Sequence, residues 1–100
     1  MYKFKAIKII CEIYGELSSA LLSSLKEIGV KNMNIHNGRS VSLIEKSSKI
    51  FSNLITTKME ESPFDIYEFY VHEEDELKVI KYIIKKNELF IPGRGSVYSI

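Results

Sequence analysis

Residues 64–86, "FDIYEFYVHEEDELKVIKYIIKK", decide the fold. Phe64 to His72 is aromatic and β-branched, the composition that suits a pleated, half-buried strand. The acidic run Glu73-Glu74-Asp75-Glu76 follows at once and suits the positive end of a helix dipole. Leu77, Ile80, Ile83 and Ile84 then form an apolar stripe. Lys85 and Lys86 fall in the last turn, and Asn87 is a candidate cap. A strand therefore runs straight into a helix. Pro92 and Gly93 punctuate, and Ser96 to Ile100 reads as a short final strand.

The N-terminal half repeats this order. Phe4 to Tyr14 alternates with a period of two, placing Ile7, Ile9, Cys11 and Ile13 on one face. The other face carries Phe4, Ala6, Lys8, Ile10, Glu12 and Tyr14. Gly15 breaks the strand. Leu17, Ala20, Leu21, Leu25 and Ile28 recur at helical spacing, and Gly29 stops the helix. Lys31 to His36 reads as a second strand ending at Asn37-Gly38. Residues 38–63 show no clean period. "RSVSLIEKS" suits a strand continuing outward, while the stretch as a whole reads as a long connection, which inside a compact domain is functional or mobile.

The order β-α-β, long loop, β-α-β predicts a single α+β domain over residues 1–100. Its form is a ferredoxin-like βαββαβ sandwich with an antiparallel four-stranded sheet and a long loop at 38–63. Right-handed crossovers put both helices on one sheet face, over Ile7, Ile9, Cys11 and Ile13. The opposite face then exposes Phe4, Ala6, Ile10, Tyr14 and one side of the third strand. An apolar face of that extent marks an interface, so self-association through the sheet is expected, with a partly greasy monomer as the alternative.

A net charge of +1 gives no field favouring nucleic acid or an anionic membrane. The lone Cys11 admits no intrachain disulfide and fits a reduced, cytoplasmic setting, where it reads as a small core residue. The N-terminus has no apolar run long enough for a signal peptide or a membrane span. No H-E-x-x-H, P-loop or G-x-S-x-G motif occurs. No catalytic residue is assigned and no enzyme is expected. His36 and His72 fall at opposite ends of neighbouring strands, on the order of 20 Å apart at about 3.3 Å per residue, so no metal site is assigned.

The arginines are the informative charges. Only two of the 14 basic residues are Arg, and both follow a glycine: Gly38-Arg39 in "NGRS" and Gly93-Arg94-Gly95-Ser96 in "PGRGS". Arginine offers a rigid fork to phosphate or carboxylate, and glycines let a ligand approach peptide N–H groups closely. Both stretches read as turns, one leaving the second strand and one entering the fourth.

The order and spacing resemble the PII-like signalling superfamily along nearly the whole chain. The resemblance rests on "KAIKIICEI", "LKEIGV", "NMNIHNGRS", "FDIYEFYVHEEDELKVIKYIIKK" and "PGRGSVYSI". It implies a non-enzymatic signal-transduction protein with the family's homotrimeric arrangement, sheets facing the centre and ligand clefts between subunits. Gly38 and Arg39 would lie at the base of the family's T-loop. Gly93, Arg94, Gly95 and Ser96 would replace its phosphate-contacting turn. The implied effector is a small anionic metabolite, an adenine nucleotide (ATP, ADP or AMP) or a cyclic dinucleotide. The loop, through Phe51, Leu54 and Ile55, would meet a partner such as a transporter or enzyme. Arg94 stands where the family usually has Asp, and Ser96 where it has Lys. No Tyr occurs between Arg39 and Pro63, so the tyrosine modification of the nitrogen-signalling members cannot take place there. The divalent-cation-tolerance proteins share the element order, which leaves a metal-related or structural trimer as the alternative.

Overall fold

The computed structural model describes residues 5–47 and 55–100, with side chains for 5–43 and 59–100. The elements are β1 (Ala6–Tyr14), α1 (Ser18–Glu27), β2 (Asn34–Ser47), β3 (Ile55–His72), α2 (Glu76–Lys86) and β4 (Gly95–Ser99). A single 3₁₀ turn leads into each helix, at Gly15–Leu17 and Glu73–Asp75. The strands form one sheet in the order β2-β3-β1-β4, and every pairing is antiparallel. This is the expected ferredoxin-like βαββαβ sandwich.

The core lies between the sheet and the helices. Ile9, Cys11 and Ile13 of β1 pack with Tyr67 and Phe69 of β3, Leu21 and Leu25 of α1, and Ile83 of α2, all buried. Ile7 completes the β1 row at the margin. The two-residue period thus sorts β1 as the sequence predicts. Burial also pushes the Cys11 thiol up to about 12, so it is a neutral core residue. In the helices, Leu77 is 64% exposed and Ala20 is also exposed, so both drop out of their expected stripes. Leu77 is only the second residue past the 3₁₀ turn, and the stripe on the core begins later, at Val79 and Ile80.

Both helices end in the same way. Val30 N–H donates to Leu25 O and Gly29 N–H to Lys26 O. In α2, Leu89 N–H donates to Ile84 O and Glu88 N–H to Lys85 O. This pattern needs a left-handed residue after the cap. Gly29 supplies it at φ 87°, whereas Glu88 adopts φ 53° without the freedom of a glycine.

The largest departure from expectation lies between β2 and β3. The segment 38–63 is a paired β-ribbon wherever it is described. β2 runs on to Ser47, β3 begins at Ile55, and their register is unbroken from Arg39↔Pro63 to Ser47↔Ile55. The segment lacks hydrophobic periodicity because, among the described residues, no third strand and no helix lies on the ribbon beyond Tyr14. Its described side chains, at 39–43 and 59–63, are exposed or half-buried, so paired backbone holds it extended there. Phe51 and Leu54 lie outside the described residues. Ile55 opens β3, and its side chain also lies outside them.

The open sheet face also differs. Register places Lys8, Ile10 and Glu12 of β1 beside Tyr70, Glu68 and Ile66 of β3, with Tyr98 and Ser96 of β4 on the other flank. Lys8 Nζ is 3.5 Å and His36 Nε2 is 3.7 Å from Glu68 Oε2. Tyr98 and Ser96 donate to Glu12 at 2.8 and 3.3 Å. The face is thus mixed: a polar network covers Ile10, only 7% exposed, while the rings of Tyr70 and Tyr98 on the same face stay exposed, so only part of the apolar surface expected is bare. Phe4, also expected here, lies outside the described residues.

Gly95 fixes how β4 joins the sheet. A Cβ there would stand 2.2 Å from Glu12 O, at φ +149°, whereas one at Gly93 (φ +87°) would meet nothing within 4 Å. Gly95→Ala is expected to cost about 2–3 kcal/mol through clash and strain together, and Gly93→Ala about 1 kcal/mol from backbone conformation alone. Chemical denaturation of both variants checks the order. Glu88→Gly is expected to gain about 0.5 kcal/mol by relieving the left-handed residue, read from the same curves.

Candidate functional site

Register brings the two Gly-Arg stretches to one end of the sheet. Gly38 pairs with Phe64, Phe64 with Tyr14, and Tyr14 N–H donates to Arg94 O at 3.5 Å. Gly38 and Arg94 thus sit in one transverse row on opposite sheet edges, three strand spacings or about 14 Å apart. At the middle of the row Tyr14 and Phe64 meet edge to face, with ring centroids 5.7 Å apart. Gly15 passes so close to Pro63 that a Cβ would lie 2.6 Å from the proline ring. Pro63 itself lies one residue past the last β1 pair, where β3 is flanked by β2 alone.

The two stretches are not alike. Gly38 and Arg39 lie inside continuous strand β2, not in the turn expected of Asn37-Gly38, and Gly38 is not among the glycines at positive φ. Pairing with Pro63 and Phe64 carries the strand through. The Arg39 guanidinium is exposed and pairs with Glu61, Nη1 to Oε2, at 3.0 Å. A shallow pocket of about 400 Å³ opens there, lined by Gly38, Arg39, Glu61, Ser62 and Pro63. Gly93-Arg94-Gly95-Ser96 is a turn into a strand, as expected, with positive φ at both glycines.

Arg94 is tied inward. Its Nε–H donates to Asn87 O at 3.1 Å, which places a cation at the negative end of α2. Asn87 is the helix cap and is 4% exposed. Its Nδ2 donates to Ser24 Oγ and to Ile83 O, both at 3.1 Å, and Ser24 Oγ donates to Leu21 O at 2.7 Å. A buried polar chain thus runs from α1 through the end of α2 to the turn that carries Arg94. Ser96 points to the open face, where its hydroxyl donates to Glu12. An anion at this turn would meet a carboxylate on the Ser96 side, so Gly93 and Arg94 present its favourable approach.

Sequence reasoning missed Asn87 as the seat of Arg94, and Glu12 as the acceptor of Ser96 and Tyr98. Hydrogen bonding to Glu12 holds the Tyr98 phenol above its usual range. His36 registers with Ile66, six residues from His72, in keeping with the wide separation expected. Among the described residues, no three His, Cys, Asp or Glu side chains are grouped to hold a metal, and no helix is long and apolar enough to cross a membrane.

No family model matches the sequence, and no curated protein matches it. Solved structures do. B. subtilis GlnK in its ATP complex superposes with a TM-score of 0.69 at 15% identity, covering 95% of this chain and 82% of that one. A second B. subtilis GlnK structure gives 0.68 at 14% identity, over 98% and 84% of the two chains. Arabidopsis thaliana PII bound to citrate gives 0.56 at 19% identity, over 96% and 76%. This chain has the PII fold. At such identities the likeness is one of architecture, and it agrees with the resemblance carried by the sequence. Within the PII fold, the row Gly38–Phe64–Tyr14–Arg94 joins the base of the β2–β3 extension to the turn before the last strand.

Asn87→Ala removes two buried donated bonds and leaves Ser24 Oγ without its donor. A loss of about 2–3 kcal/mol is expected, against under about 1 kcal/mol for Arg94→Ala, whose bond is only partly buried. Thermal unfolding of the two variants gives the comparison.

Proposed function

We propose that this chain is a non-enzymatic PII-like signal-transduction protein of the cytoplasm. It forms a homotrimer, binds a small anionic effector between subunits, and regulates a partner protein through the 39–63 extension. The observation that carries this reading is the shared row of the two Gly-Arg stretches on opposite sheet edges. A ring of copies meeting edge to edge sets β2 of one subunit beside β4 of the next, so Arg39 and Arg94 from different subunits converge on one cleft. Within a single chain they stay about 14 Å apart.

The chemistry of the row supports an anion. The Arg39–Glu61 pair is exposed, and exposed pairs contribute only about 0–1 kcal/mol, so a phosphate or carboxylate competes readily for the guanidinium. Gly93 leaves its peptide open to close approach, and Arg94 is held in place by Asn87. Gly38, Gly95 and Ser96 frame the proposed site, with the Ser96 hydroxyl engaged by Glu12 on the side away from the anion. The effector class is an adenine nucleotide or a related anion, which accords with ATP in the GlnK complex and citrate in the Arabidopsis PII complex. The partner, a transporter or enzyme and not a nucleic acid, would meet the ribbon. Val41, Leu43 and Met59 are 48%, 68% and 58% exposed there, on the face that alternation gives them in common.

Calorimetric titration with ATP and with citrate tests the site. Binding to the wild-type chain is expected, weakened about tenfold or more by Arg39→Ala and by Arg94→Ala separately. Full-strength binding by both variants would sink the assignment. Light scattering tests the assembly, and a stable monomer at micromolar concentration would exclude a cleft between subunits.

A further inference from the structure

The two edges of the β2–β3 ribbon are unlike, and only one of them is guarded. We propose that the outer edge of β2, over residues 39–45, is an interaction surface for a second copy of this chain. That copy adds its own β2 antiparallel, about a two-fold axis at Ser42. The pairing does not depend on the effector site.

The register decides which main-chain groups are on offer. Ile100 N–H donates to Lys8 O and Tyr14 N–H to Arg94 O, so the even-numbered β1 residues turn their backbone toward β4. The odd-numbered ones bond to β3, where their partners Tyr67, Phe69 and Val71 are also odd. Even-numbered β3 residues are left for β2, and their partners there, from Asn34 to Lys46, are even. Arg39, Val41, Leu43 and Glu45 therefore turn N–H and C=O outward. β2 is an edge strand, and among the described residues no strand meets these groups.

Free edges are normally blunted by proline or charge. The free edge of β3 is blunted in this way. Pro63 presents no N–H to it, and Glu60 and Glu61 stand beside the proline. The edge of β2 has no such guard. Residues 40–44, Ser-Val-Ser-Leu-Ile, hold no proline and no charge, and Val41 and Leu43 are exposed.

The edge matches itself. Laid antiparallel on a second copy about Ser42, Arg39 falls opposite Glu45, Ser40 opposite Ile44 and Val41 opposite Leu43. Outward groups then meet outward groups, so each odd-numbered pair exchanges both of its hydrogen bonds. Residues of opposite charge share one cross-strand position, and two apolar residues share the next. Moving the axis to Val41 or Leu43 sets Arg39 opposite Leu43 or Ser47 and loses the charge match. The Arg39–Glu61 pair is exposed, so the guanidinium is readily shared. The product is a β3-β2-β2-β3 sheet, isologous and closed by its two-fold axis.

Sedimentation of the full chain across a concentration series tests the pairing. Val41→Pro removes one outward N–H and leaves the β2–β3 ladder whole. Wild type is expected to reach at least twice the mass of that variant. Arg39→Glu and Glu45→Arg each act twice about the axis and should weaken association about tenfold, and the two together should restore it. Cross-linking tests the register. At the axis the two copies of residue 42 form a non-hydrogen-bonded pair, with Cα atoms about 4.5 Å apart, within disulfide range. With oxidised glutathione, Ser42→Cys should link chains at least about tenfold faster than Met59→Cys, an exposed position on the far strand. Cys11 is buried and takes no part. Equal mass for wild type and Val41→Pro at every concentration would overturn the proposal and leave the edge to a strand of another protein. Equal linking rates for the two cysteine variants, or a double charge reversal that stays dissociated, would overturn it as well.

Discussion

Strand β1 is enclosed on three sides, and the rest of the molecule is arranged to make that possible. Its edges are hydrogen-bonded to β3 and β4, and one face lies under both helices. Ile9, Cys11 and Ile13 are at most 1% exposed. Burying a strand this completely requires both neighbours to pair without defect, since an unpaired backbone group there would cost about 1–3 kcal/mol. β3 meets the need with nine consecutive partners. β4 is shorter, with five, and meets it only because Gly95 lets its backbone lie against Glu12 O.

The enclosure of β1 explains where the polar chemistry gathers. Groups that cannot enter the apolar layer collect at its margins. One margin is the end of α2, where Asn87 bonds to Ser24, Ile83 and, through its carbonyl, Arg94. Another is the open face, where Glu12 and Glu68 accept from residues of the neighbouring strands. A third lies within the helix layer, where the Tyr67 hydroxyl reaches the Ser18 hydroxyl and so anchors β3 to the start of α1. Each margin ties two elements together through groups that would otherwise be left unsatisfied.

What can be read from the sequence follows the range of the interactions. The alternation of β1 and the stripe of α2 are local patterns, and they alone suffice to place Ile9, Cys11, Ile13 and Ile83 in the core. The ribbon is illegible because its order comes from pairing between segments whose described side chains bury no face, so no period marks it. Asn37-Gly38 misleads, being a strong hairpin-turn signal at a point where β2 continues. The inward tie of Arg94 is equally hidden. It depends on Asn87, whose side chain is fixed by Ser24, 63 residues away. The bond from Tyr98 to Glu12 spans 86 residues and follows only from the register of β4.

The ribbon adds a mechanical property that none of its contacts states. Nine residue pairs from Arg39↔Pro63 to Ser47↔Ile55 extend about 27 Å from the body and, among the described residues, join the rest of the sheet at one end only. Two-stranded ribbons are more strongly twisted than wide sheets, so the angle at the base, the geometric pivot of the ribbon, decides where its far pairs lie. A tilt of about 10° there carries the far pairs through roughly 5 Å, since displacement grows with distance at about 3.3 Å per residue. Gly38, Arg39 and Pro63 occupy the pivot itself. The extension is therefore a lever, and a change too small to disturb the core at its root becomes a large one at its far end.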